Sequence, residues 1–181
     1  LILVVGVVLA LLSYSFDTSV NIFFQNADIP IFGTILSVVT NFGMVIFLMV
    51  IVPTILIYAR KRKIAYVLWT NLFISMALTF AFKLIIARQR PIESFTYPFT
   101  NIISYSFPSM HAVVAFSLMA IANELLPKQR VFWISFAFLV AFSRIYLGVH
   151  YLSDVVFGAL IGYFIGHYLY ILHKHHFHVK N

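Results

Sequence analysis

The stretch Ser143–Asp154, SRIYLGVHYLSD, sets an arginine, a histidine and an aspartate into a chain otherwise suited to lipid. Ionisable side chains at membrane depth are costly to bury. They face a cavity or one another, and so mark a functional site by default. His150 and Asp154 stand four residues apart, and on a helix that spacing puts them on one face. The carboxylate can then accept a hydrogen bond from one imidazole nitrogen, fixing the ring and leaving the other nitrogen free to attack. His150 is therefore the candidate nucleophile and Asp154 its orienting partner.

Working outward, 181 residues that are 62% hydrophobic and 9% charged describe an integral membrane protein rather than a soluble domain. A span needs about 20 apolar residues, so the length predicts an all-α, polytopic bundle of six transmembrane helices, with 1–181 a single membrane-embedded domain. The absence of cysteine excludes disulfides, thiolate metal sites and thiol catalysis. The net charge of +7 sits in clusters at predicted helix ends. It reads as orientation signals and contacts with anionic membrane lipids, not as a nucleic-acid surface.

Leu1 to Tyr14 reads as a first helix whose start lies upstream; the core of a signal peptide is the alternative weighed against it. Residues 15–36 mix Asp17, Asn21, Gln25, Asp28 and Pro30 with Phe16, Phe23, Phe24 and Phe32, a pattern expected to lie at the interface without spanning. Further helices are expected over about 37–58, 64–87, 108–126, 131–147 and 151–172, and the final HKHHFHVKN reads as a solvated basic tail. Between Arg88 and Phe107, Pro91, Pro98 and several aromatics indicate a loop at the membrane surface.

Arg60, Lys61, Arg62, Lys63, Lys128, Arg130, Lys174 and Lys180 fall on one side of this layout. The positive-inside rule makes that side cytoplasmic. Lys83, Arg88, Arg90 and Arg144 fall on the other side, with Asp17, Asp28, Glu93 and Asp154, so the site is expected to face the extracytoplasmic side of the plasma membrane.

Three segments bring ionisable groups to those outer ends: Lys83 to Pro91, Pro108-Ser109-Met110-His111, and Ser143 to Asp154. Lys83 and Arg90 are seven apart, two helical turns, so they are expected on one face. With Arg144 they make a cationic site for a dianion, and the guanidinium fork suits phosphate. Ser109 stands where a helix starts, so its hydroxyl and the amides of Met110 and His111 are expected to cradle that phosphate. His111 is the candidate general acid for the leaving oxygen. No metal and no cofactor is expected: carboxylates are too scattered for Mg²⁺, and zinc on His111, His150 and Asp154 would sit among three cations.

Lys83-Leu-Ile-Ile-Ala-Arg-Gln-Arg90-Pro91, Pro108-Ser109-Met110-His111 and Ser143-Arg144 followed by His150 and Asp154 together resemble the three-part signature of the type 2 phosphatidic acid phosphatase superfamily. The resemblance implies a metal-independent phosphatase with a phosphohistidine intermediate. It implies phosphate binding by Lys83, Arg90, Ser109 and Arg144, with His111 as acid, His150 as nucleophile and Asp154 orienting it. Met110 departs from the family's usual glycine and narrows that position.

Each residue also has an ordinary structural role open to it: a snorkelling lysine, a simple N-cap, an interfacial histidine. Those roles do not explain why so many ionisable groups share one side of a bilayer. Arg88 is read as an interfacial anchor. The loop aromatics Phe95, Tyr97, Phe99, Tyr105 and Phe107 read as an interfacial belt that also lines a lipid entrance. With no soluble domain to hold a soluble substrate, a lipid phosphate is expected, a phosphomonoester of the phosphatidylglycerophosphate or phosphatidic acid type. Undecaprenyl pyrophosphate is the second candidate. An anion transporter lacks its paired broken helices here, and a vanadate peroxidase would be a soluble protein.

Overall fold

The computed structural model describes residues 2–27, 29–58, 62–91 and 105–178, and every regular element among them is helical. Helix α1 (Ile2–Ser15) bends by 60° into α2 (Asp17–Asn26). Helix α3 (Pro30–Val39) opens on a proline, whose missing N–H is harmless in a first turn. Asn41 then caps α4 (Phe42–Ile46) by accepting from Met44 N at 2.9 Å. A π turn over Phe47–Ile51, in which Val52 N–H reaches Phe47 O, carries the chain into α5 (Val52–Tyr58). Pro53, one residue further on, has no N–H to give to the usual ladder, so a change of helical register is placed where the ladder is already broken. Then come α6 (Arg62–Ile86), α7 (Met110–Leu125), a single 3₁₀ turn at Pro127–Gln129, α8 (Arg130–Tyr146) and α9 (Leu152–His178).

Helix α7 lies at the centre. Every residue from Ala112 to Ala122 is buried, the pattern of a helix surrounded on all sides. Its closest partner is α9. A Cβ at Gly162 would overlap the Val113 carbonyl, and one at Gly166 would overlap that of Ser117, so the two backbones touch where glycine alone fits. Val45, Met49, Leu68, Leu72, Trp133, Phe136 and Val140 complete the core around α7. Large apolar side chains such as Leu11, Ile31, Ile85 and Val131 point outward, as lipid-facing surfaces do.

One face of α6 is polar and buried throughout: Asn71, Ser75, Thr79 and Lys83 recur every fourth residue. Asn71 Nδ2 donates to Ser117 Oγ at 2.9 Å and Ser75 Oγ lies 3.0 Å from the same hydroxyl, so α6 and α7 are joined by hydrogen bonds within the apolar layer.

The all-helical class is as expected, but the span count is coarser than six. Among the described residues, Ala65–Ile86 and Leu152–Lys174 are each long and apolar enough to cross a membrane, and the two bent pairs, α1 with α2 and α3 with α4–α5, raise the number to four if each is one span. Helix α7 is apolar but shorter. Residues 15–36, expected as an interfacial stretch, form most of two helices, and α9 continues through the expected tail to His178. Asp28, Arg60, Lys61, Glu93, Phe95, Tyr97, Phe99 and Lys180 lie outside the described residues, as do the side chains of Arg62, Lys63 and the histidines after Lys174.

Candidate active site

Four helix ends and two turns meet at the site. Helix α6 stops at Ile86, and Ala87 takes φ 46°, a left-handed conformation that costs a non-glycine residue about 1–3 kcal/mol. The chain leaves the helix axis there, so Lys83 and Arg90 do not share a helical face as their spacing had suggested. They converge nonetheless. Lys83 is 2% exposed on α6 and its ammonium donates to the Tyr105 carbonyl. Arg90 reaches back to the Val149 carbonyl at 3.1 Å, bracing the turn that carries His150.

That turn follows α8. Gly148 adopts φ 64°, and His150 N donates to the Arg144 carbonyl at 3.3 Å, so His150 precedes α9 instead of lying on it. Asp154, in the first turn of α9, reaches back to accept from Tyr151 N at 2.9 Å, as a third helical residue does in a capping box. His150 Nδ1 stands 3.7 Å from Asp154 Oδ2, too far for a direct hydrogen bond. Ser106, absent from the sequence reading, lies between them. Its hydroxyl donates to Asp154 Oδ2 and sits 3.4 Å from His150 Nδ1. Nδ1 thus faces the serine and the carboxylate, and Nε2 is the nitrogen left for other chemistry.

His150 is 3% exposed. Burial, above all, pushes its imidazole down to about 4; the Asp154 carboxylate opposes this and Arg90 adds to it. The ring is therefore neutral near pH 7, as a nucleophile must be.

Ser109 is the N-cap of α7, yet its side chain makes no capping bond and its buried Oγ has no partner. An unsatisfied hydroxyl in such a place calls for a ligand or water. Its backbone N–H donates to the Asp154 carbonyl at 3.1 Å, tying the start of α7 to the start of α9. Met110 is the first residue of α7 and packs on the core, so a helical backbone is kept where the family's glycine would stand. His111 follows, edge-on to the Phe42 ring at 5.1 Å, with Arg144, His150, Arg90 and Lys83 all close enough to act on it electrostatically. All eight expected site residues are thus gathered at one end of the bundle.

Arg88 is not the interfacial anchor it was expected to be. It forms ion pairs with Asp154 Oδ1 at 2.8 Å and Asp17 Oδ2 at 2.7 Å. Asp17 was missed as well: it lies in a segment of mixed polarity, and its partners are far away in sequence. Phe107, from the aromatic loop, packs on Phe157 at 4.7 Å. Among the described residues, no three His, Asp or Glu side chains form a cluster able to hold a metal ion.

Known proteins resemble this chain in sequence and in fold. The chain is 34% identical over 119 residues to an undecaprenyl-diphosphatase of Sulfolobus acidocaldarius, a match covering 61% of this chain and 56% of that protein. It is 28% identical over 177 residues to a lipid A 4'-phosphatase of Bacteroides thetaiotaomicron, covering 87% of this chain and 77% of that one. The crystal structure of a transmembrane PAP2 type phosphatidylglycerolphosphate phosphatase from Bacillus subtilis superposes with TM-score 0.74 at 22% identity, covering 99% of this chain and 96% of the other; at that identity the likeness is one of fold. Residues 63–177, which hold every expected site residue, match the PAP2 superfamily, and the chain belongs to that family.

Proposed function

We propose that this chain is one membrane-embedded domain that hydrolyses a lipid phosphomonoester, of the phosphatidylglycerophosphate or phosphatidic acid type, through a phosphohistidine intermediate and without a metal. The observation that carries this reading is a buried, neutral His150 held through Nδ1, next to three cationic side chains and an unpartnered Ser109 hydroxyl.

In the first half-reaction His150 Nε2 attacks phosphorus and the P–O bond to the lipid breaks. His111 gives its proton to the departing alkoxide. In the second, His111 takes a proton from water, which cleaves the P–N bond and releases inorganic phosphate, restoring both histidines. Lys83, Arg90 and Arg144 hold the non-bridging oxygens, where transition-state charge gathers. The Ser109 hydroxyl and the first amides of α7, including those of Met110 and His111, complete the cradle. Asp154 and Ser106 favour the Nδ1–H tautomer of His150 and support the positive charge it acquires on attack.

The phosphatase names of the relatives support this reading. The name undecaprenyl-diphosphatase favours a second one, a polyprenyl diphosphate substrate. Arg88 is the cation that could readily serve a second phosphate, and it is committed to Asp17 and Asp154, which weighs toward a monoester. The charge asymmetry of the sequence supports a site on the extracytoplasmic side. Single cysteines at Ser94 and Gln129 would test this: an impermeant maleimide should label the first and not the second in intact cells. Substrate class is tested by kcat/KM in mixed micelles for phosphatidylglycerophosphate, phosphatidic acid, undecaprenyl pyrophosphate and a soluble sugar phosphate. The highest value is expected for a lipid monoester. Preference for the diphosphate would favour the second reading, and preference for the sugar phosphate would refute both.

A further inference from the structure

The mechanism assigns no task to Asp17, yet the residue is 4% exposed and both its carboxylate oxygens are engaged. It arrives from the bend between α1 and α2. Its Oδ1 accepts from Ser153 N at 2.8 Å, and its Oδ2 accepts from Ser153 Oγ at 2.6 Å and from Arg88 Nη2 at 2.7 Å. Arg88 Nη1 donates to Asp154 Oδ1 and Ser153 Oγ, each at 2.8 Å. The guanidinium lies 4.0 Å over the Tyr151 ring and 5.2 Å from that of Tyr14, so it is fixed on its faces as well as at its edge.

Taking His150 as the nucleophile, the geometry points to Asp17 as a positioning residue of the catalytic pair: it shares the Arg88 guanidinium with Asp154 and so leaves Asp154 its negative charge toward His150. One cation between two carboxylates leaves the trio with a net charge of −1, and the Asp154 oxygen not held by Arg88 is the one facing Ser106 and His150. Without Asp17, the fork of Arg88 is free to pair with both oxygens of Asp154. That would neutralise the carboxylate and draw it from Ser106 and Tyr151. The N-terminal helices would then be more than a lipid-facing wrap, because they supply the counter-charge that keeps the site's own carboxylate anionic.

A plainer role for Asp17 is to cap α9 through Ser153 N, and charge separates the two. The charges of Lys83 from α6, Arg90 beyond it and Asp154 from α9 act on His150, His111 from α7 interacts with it and also feels Arg144 from α8, and Arg88 and Asp17 stand behind Asp154. Asp17→Asn keeps a capping oxygen and removes one anion, so the His150 imidazole should titrate at lower pH. Arg88→Gln removes one cation, so it should titrate at higher pH. The double variant Asp17→Asn/Arg88→Gln should return toward wild type.

The titrations are read by NMR on ¹⁵N-histidine-labelled protein in detergent micelles, with the His150 signals identified by their loss in His150→Gln. Alongside, kcat for phosphate release from phosphatidic acid should fall roughly tenfold in Asp17→Asn, a coupling usual for groups in one network, with KM changed by less than about twofold. Asp17→Glu, which keeps the charge, should recover both readouts. If Arg88→Gln does not fold, the contrast of Asn with Glu at position 17 decides the matter. Opposite shifts in the single variants, or recovery by Glu, support the assignment; titrations that stay put or move in the same direction overturn it. A wild-type protein that shows these shifts but releases no lipid phosphate would sink the phosphatase reading and leave the role of Asp17 standing. Phosphate release with unmoved titrations would do the reverse.

Discussion

Helices α7 and α9 are held together by opposite means in two places. Along their middle, Gly162 and Gly166 let α9 lie against the Val113 and Ser117 carbonyls, with nothing ionisable between the backbones. At the end that carries the site, hydrogen bonds and ion pairs tie the two helix starts together and to their surroundings: Ser109 N donates to the Asp154 carbonyl, Ser106 donates to Asp154, and Arg88 pairs with Asp154 and Asp17. The apolar seam sets where the ends arrive, and the ends hold one another in working order. Damage to the seam should therefore remove the structure, while damage to the ends should remove chemistry and leave the structure in place.

The seam should break most completely. Gly162→Leu forces a side chain into a space the Val113 carbonyl occupies, and overpacking of this kind costs about 1–3 kcal/mol or more. Little monodisperse protein is expected on size exclusion in detergent; a stable, monodisperse variant would show that the seam does not set the fold.

At the end that carries the site the effects should fall on turnover. Asp154→Asn keeps the shape but loses the charge that orients and supports His150, and kcat should drop on the order of 10³- to 10⁴-fold with the melting temperature little changed. Ser106→Ala removes the hydroxyl between Asp154 and His150 and should cost about tenfold in kcat, the range of a charge-assisted hydrogen bond. A loss as large as that of Asp154→Asn would mean that the serine acts directly on substrate.

The smallest effect is expected between these two regions. Asn71 and Ser75 bond to Ser117 inside the bundle, but such bonds within a membrane average about 0.6 kcal/mol. Asn71→Leu should thus shift stability by less than about 1 kcal/mol and leave phosphate release unchanged. A marked loss of activity would show that the polar face of α6 carries more than packing to Lys83.

The site was legible where charge stands out against lipid. Lys83, Arg90, His111, Arg144, His150 and Asp154 break apolar runs, and their spacing relative to predicted helix ends brings them to one side before any contact is known. The details that failed were those needing the third dimension. Lys83 and Arg90 converge through a left-handed turn at Ala87, not along a helix, and His150 meets Asp154 from a turn through Ser106. Ser106 is one serine among many, and nothing in its neighbours marks it. Asp17 and Arg88 lie 71 residues apart, so neither announces the other, and residues 15–36 look interfacial because the cation that Asp17 pairs with lies elsewhere in the sequence. Helix positions after residue 60 followed hydropathy well. For the spans, the described residues give two to four that meet the length and apolarity of a crossing, because bent pairs and the short α7 do not obey a single length rule.

The central claim is that His150 accepts the phosphoryl group, and the direct measurement is rapid acid quenching of the protein during turnover of ³²P-labelled phosphatidic acid, followed by peptide mapping. The account predicts acid-labile, base-stable label on the peptide containing His150. No such label should form in His150→Ala, which should also lose at least about 10⁴-fold in turnover while remaining monodisperse. Label on another residue, or undiminished phosphate release by His150→Ala, would contradict it.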